Sequence, residues 1–73
     1  MDYKIEFRDK VEADKVYHGS RKRFASKGVD YTEGIRRCDL KTLEVSEGFI
    51  EEVRRVIGNH NARHKLTKLE END

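Results

Sequence analysis

Residues 40–58 read LKTLEVSEGFIEEVRRVIG, and the fold turns on how this stretch is read. From Phe49 onward apolar side chains recur at three- and four-residue steps: Phe49, Ile50, Val53, Val56 and Ile57, with His60 continuing the stripe. That spacing predicts an amphipathic helix over about 46–58. Ser46 is placed to cap it, because its hydroxyl can accept from an unpaired backbone N–H. Glu47 suits the positive end of the helix dipole, and Glu51 with Arg55 makes an i,i+4 pair. Gly58 and Asn59 offer a stop signal, with the alternative that the helix runs on through HNARHKL.

Working outward, the N-terminal DYKIEFRD alternates, with Tyr3, Ile5 and Phe7 on one face and Lys4, Glu6 and Arg8 on the other. This predicts a half-buried strand, which needs a neighbour to pair with. Between Val11 and Ser26, Ala13, Val16, Tyr17, Ser20 and Phe24 recur at helical spacing, although Gly19 weakens a helix there. The competing reading makes KVYHG a second strand, and local pattern leaves both open. Gly28 suits a left-handed helix cap. Asp30 and Glu33 have capping-box spacing, opening a short helix from Tyr31 to about Leu43 that would bury Ile35, Cys38 and Leu43.

The expected fold is therefore a small α+β domain, with an N-terminal strand and two or three helices, the last being amphipathic. Its alternative is a small SH3-like β-barrel, in which residues 49–57 and 62–70 would form a hairpin. That arrangement puts Phe49, Glu51, Val53, Arg55 and Ile57 on one face, which alternates poorly. The 73 residues make one domain, and from about residue 66 the chain reads as a disordered acidic tail ending in LEEND.

Residues 35–57 resemble a helix-turn-helix at its packing positions. Leu40 and Leu43 fall on the inner face of the first helix, Val45 and Ser46 stand after the turn, and Ile50 and Val53 face back from the second. The resemblance implies DNA binding. Glu44 occupies the turn position usually held by glycine, Gly48 lies in the second helix's first turn, and Glu47, Glu51 and Glu52 point outward. Carboxylates are repelled by phosphate and find a favourable base contact only at cytosine. Contact with nucleic acid is therefore expected from basic residues instead, with Arg54, Arg55 and the more distant Arg63 gripping the backbone.

Those residues are concentrated. Net charge is +1, yet Lys15 to Val29 holds Lys15, Arg21, Lys22, Arg23 and Lys27 with no acid, and Arg36 and Arg37 follow. Such a patch on a neutral chain can serve as an electrostatic footprint. The expected function is a small nucleic-acid-binding regulator that grips phosphate with Arg21, Lys22, Arg23, Lys27, Arg36, Arg37, Arg54 and Arg55. The alternative is a protein-interaction module, an inhibitor or adaptor, whose N-terminal strand offers Tyr3, Ile5 and Phe7 to a partner. Charged residues at 42% and apolar residues at 34% leave a thin core, which fits support from a partner or from self-association as a homodimer.

Catalysis is not expected. His60 and His64 are spaced i,i+4 and would share a helix face, but they lack an evident third ligand. Cys38 reads as a small core residue. Gly19, Gly28, Gly34, Gly48 and Gly58 do not have phosphate-loop spacing. No cofactor or metal is expected. A single cysteine and the absence of an apolar leader or an ~18-residue apolar run suggest a cytoplasmic protein without a membrane partner.

Overall fold

A computed structural model describes residues 1–69. The elements run β1 (Tyr3–Phe7), α1 (Lys10–Ser26), β2 (Ile35–Arg37), β3 (Thr42–Val45), α2 (Ile50–His60) and β4 (His64–Lys68), with single 3₁₀ turns at Tyr31–Glu33 and Glu47–Phe49. The strands make one antiparallel sheet in the order β2-β3-β1-β4. This is the split βαβ arrangement, an α+β domain.

Period-two alternation decides which sheet face the helices cover. Tyr3 and Ile35 flank Val45 across β3, and Ile5 pairs with Leu43 on one side and Leu66 on the other. Ile5, Leu43 and Val45 are fully buried, together with Val16 of α1 and Val53 of α2. Phe24 and Phe49 meet with ring centroids 4.8 Å apart. The opposite sheet face is polar. One row runs Arg36, Glu44, Lys4, Thr67, and the next runs Thr42, Glu6, Lys65.

α1 resolves the alternative left open for residues 11–26 in favour of a helix, and α2 covers most of the stretch expected over 46–58. Asp9 caps α1 by accepting from the Glu12 N–H at 2.9 Å. Gly28, at φ 73°, closes the helix in the left-handed conformation: Val29 N–H reaches Phe24 O (2.9 Å) and Gly28 N–H reaches Ala25 O (3.1 Å). At the start of α2 the Ser46 hydroxyl does not cap. It turns to Met1 Sδ, and the Asp2 carboxylate accepts from Glu47 N–H at 2.7 Å. The helix runs past Gly58 and Asn59 and stops at Asn61, which adopts φ 49°.

Residues 31–43 differ most from expectation. Asp30 does cap, accepting from Thr32 N–H, but only one 3₁₀ turn follows. Gly34 ends that turn against Phe49, and residues 35–45 form the β2–β3 hairpin. The first helix of a helix-turn-helix is thus replaced by two strands. Leu43 and Val45 gain more burial opposite β1 than a short free helix could offer them. Leu40, expected on an inner helix face, is 61% exposed at the hairpin tip, and Cys38 is exposed as well. The Asp39 carboxylate accepts from Lys41 N–H (2.8 Å), while the Arg37 guanidinium donates to the Asp39 and Leu40 carbonyls, which fixes the tip.

β1 lies inside the sheet, paired with β3 and β4, so it offers no free edge. Ile5 is fully buried, Phe7 nearly so and Tyr3 partly. The proposed partner contact through Tyr3, Ile5 and Phe7 is therefore corrected: their backbone is paired and their side chains belong to the core layer. The free edges are β2 and β4, so the sheet does not close into a barrel. Residues 66–68, expected in a tail, lie in β4, while the acidic 70–73 fall outside the described residues.

Candidate nucleic-acid interface

The chain holds sixteen Lys and Arg against fifteen Asp and Glu. Which cations are left without a carboxylate decides where an anion could bind.

Half of the eight anticipated contact residues are tied up. Arg23 and Lys27 both donate to Glu52 of α2, at 2.8 and 2.6 Å, and so clamp the two helices together. These contacts, Lys27 first, hold the Glu52 carboxyl below its ordinary value. Arg36 makes two 2.7 Å bonds to Glu44 across the β2–β3 pair. Arg37 pairs with Asp14 of α1, whose carboxyl is held low by Lys10 and then Arg37. Glu52 therefore acts as a structural anion rather than an outward helix carboxylate.

The other four keep their charge available. Arg21 Nη2 donates to the Tyr31 hydroxyl at 2.7 Å, and its guanidinium carbon stands 5.4 and 4.8 Å from the Tyr17 and Tyr31 ring centroids. Tyrosine orients this guanidinium without neutralising it. His18, Arg21, Lys22, Ala25 and Tyr31 line a shallow groove of about 290 Å³. Lys22 is exposed on the α1 surface, one turn from His18 and two from Lys15. Arg54 and Arg55 are exposed on α2. Among the described residues no carboxylate stands within 4 Å of Arg21, Lys22, Arg54 or Arg55, so the i,i+4 pair of Glu51 with Arg55 is not closed.

The sheet adds a cluster of which the sequence reading singled out Arg63 alone. Arg8 N–H bonds Arg63 O at 3.0 Å, so the end of β1 and the start of β4 bring Arg8, Arg63 and Lys65 together, with Lys68 further along β4. All five residues of β4 are exposed. Lys68 pairs with Tyr3, whose phenol is pushed up by the Glu47 side chain beside it. The signal in the sequence was the acid-free NARHKLTKL, residues 61–69, but its charges gain meaning only once β4 is placed beside β1.

The six aromatic residues all sit in the helix layer or on the helix-facing side of the sheet, and none is fully exposed. His60 ends α2 and His64 begins β4, so their helical i,i+4 relation is not formed. Partial burial of its sulfur, then the Glu44 carboxylate, push the Cys38 thiol up, away from the thiolate a nucleophile needs.

No family model matches the chain, and the searches of curated proteins and of solved structures return no match either.

Proposed function

We propose that the protein binds nucleic acid through the phosphate backbone, as a small DNA- or RNA-binding regulator. One observation carries the reading: apart from Lys41 at the β2–β3 tip, the cations without a carboxylate within 4 Å among the described residues fall in three groups, Lys15, Arg21 and Lys22 on α1, Arg54 and Arg55 on α2, and Arg8, Arg63 and Lys65 on the polar sheet face beside β4, with Lys68 on the other face of that strand. Phosphate neutralisation by lysine and arginine releases condensed counterions, which gives sequence-independent affinity. The contacts proposed are Arg21, Lys22, Arg54 and Arg55, joined by the β4 cations. Arg23, Lys27, Arg36 and Arg37 are assigned to holding the fold.

Fluorescence anisotropy with labelled duplex DNA, duplex RNA and single strands tests this. Binding at about 50 mM salt should weaken at least about tenfold by about 200 mM. Absence of any complex at low salt removes the reading.

The unpaired β4 edge favours a second reading, a protein-interaction module that accepts a strand from another chain. Stoichiometric recovery of one protein partner, together with no response to nucleic acid, would select it.

A further inference from the structure

We propose that the groove between α1 and Tyr31 is a docking site for the terminal phosphate of a nucleic-acid strand. This rests on the nucleic-acid reading and deepens it: the groove recognises a phosphate monoester, whereas the other free cations contact the backbone.

Two arginines stand against the Tyr17 ring, Arg37 at 5.7 Å and Arg21 at 5.4 Å from its centroid. Arg37 is neutralised by Asp14, which also takes Lys10. Arg21 has no carboxylate within 4 Å among the described residues. It is nevertheless held at three points: the Tyr17 ring, the Tyr31 ring at 4.8 Å and the Tyr31 hydroxyl at 2.7 Å. Fixing a long side chain costs rotamer entropy. Here that cost falls before any anion arrives, which is the preorganisation that favours binding.

The bond to Tyr31 uses one of the guanidinium's five N–H groups. Tyr31 accepts it, so the phenol's own proton is left to donate, and the adjacent cation strengthens that donor. Arg21 and Tyr31 line one groove with His18, Lys22 and Ala25. Its volume of about 290 Å³ is at the small end for ligand sites. A phosphate monoester brings close to two negative charges and three strong acceptor oxygens, which match the guanidinium, the phenol and Lys22. A diester linkage carries about half that charge and one acceptor fewer. The acids nearest in sequence are engaged or lie off the groove. Asp14, one turn before His18, is held by Lys10 and Arg37. Asp30 accepts from Thr32 N–H (3.0 Å) and from the Thr32 hydroxyl (2.6 Å), and neither it nor Glu33 lines the groove.

The surface beyond the groove favours a strand end over a phosphorylated protein side chain. Lys22, His18 and Lys15 recur at four- and three-residue steps along one exposed face of α1. At 1.5 Å per residue this row is about 10 Å long, roughly three nucleotides of one strand. A polyanion leaving the groove meets this row, whereas an isolated phosphorylated residue has no use for it.

Calorimetric titration of the full chain at about 50 mM salt, with one single-stranded oligonucleotide in 5′-phosphorylated, 3′-phosphorylated and hydroxyl-ended forms, tests this. At least one phosphorylated form should bind about tenfold more tightly than the hydroxyl-ended form. Tyr31→Phe keeps the ring against Arg21 and removes only the hydroxyl; Arg21→Lys keeps the charge and removes the fork. Each should cut the preference to about twofold or less, with affinity for the hydroxyl-ended strand nearly unchanged. In the wild type, the Tyr31 ring resonances should shift with the preferred phosphorylated strand and not with the hydroxyl-ended one. Equal binding of all three forms overturns the proposal and leaves the nucleic-acid reading standing, whereas no binding of any form removes both. A preference that survives both substitutions would place the phosphate elsewhere and overturn it. So would a phosphoserine peptide that binds more tightly than either phosphorylated strand, which would give the groove to a protein partner.

Discussion

Gly34 lies flat against the Phe49 ring, so closely that a Cβ built on Gly34 would overlap the ring carbons. Two backbone bonds hold Gly34 there, its own N–H to Tyr31 O (3.0 Å) and Ser46 N–H to its carbonyl (2.8 Å). Phe49 also packs against Phe24, with ring centroids 4.8 Å apart. Neither partner can yield freely, so Gly34→Ala should cost about 1–3 kcal/mol as an overpacked core does, read as a lower urea midpoint at unchanged slope. Phe49→Leu in that background should recover part of the loss. Strict additivity of the two substitutions would count against this contact.

Glu52 makes the α1–α2 packing sensitive to acid. Its carboxyl is lowered by Lys27 first and Arg23 second. A lowered folded value stabilises the fold above the ordinary carboxylate range, and the contribution is lost as pH falls through the folded value. Glu52→Gln should therefore be less stable than wild type near neutrality, and the difference should vanish in strong acid. Urea titrations of both proteins across that range check the sign; a difference that grows toward acid would refute it.

The two sets of cations should separate in binding. Lys22→Ala and Arg54→Ala remove side chains with no carboxylate within 4 Å among the described residues. Each should weaken nucleic-acid binding across sequences and lower the slope of log K against log salt by about one. Arg36→Ala should leave that slope unchanged, because Glu44 already occupies its guanidinium. Equal losses from all three would show that the net charge, and not these positions, governs binding.

α2 was legible because it buries one stripe, Ile50, Val53, Val56 and Ile57, whereas α1, which buries Val16, Ser20 and Phe24, carries a pattern that left helix and strand both open. Gly19, which reads as a helix-weakening residue, lies where α1 crosses α2; a Cβ there would stand 2.9 Å from Val56 Cγ1. The β2–β3 hairpin was not legible. Leu40, Leu43 and Val45 carry spacing compatible with a helix start, and only pairing with Ile5 and Tyr3, some forty residues away in sequence, makes Thr42–Val45 a strand. The candidate interface was half legible for the same reason. A run of basic residues shows where cations are, but Glu52 and Glu44 reach Arg23, Lys27 and Arg36 through tertiary contacts that local pattern does not contain.

Asn61 sets where α2 stops and β4 begins, which makes it a test of the whole sheet edge. It is the described non-glycine residue at positive φ, and its turn bonds Asn61 N–H to Gly58 O (3.2 Å) and Ala62 N–H to Ile57 O (3.1 Å). The left-handed conformation costs an ordinary L residue about 1–2 kcal/mol, less for asparagine and nothing for glycine. Asn61→Ala should thus destabilise the protein by about 1 kcal/mol, whereas Asn61→Gly should be neutral or slightly stabilising. If α2 overran this point, residues 64–68 would lose their register on β1. The alanine variant should therefore also speed exchange of the Lys65 and Thr67 amides, which face β1, ahead of those in α1. Thermal melts rank the three proteins, and residue-resolved exchange locates the opening. An alanine variant as stable as wild type, with β4 still protected, would mean that the β1–β4 pairing alone fixes the end of the helix.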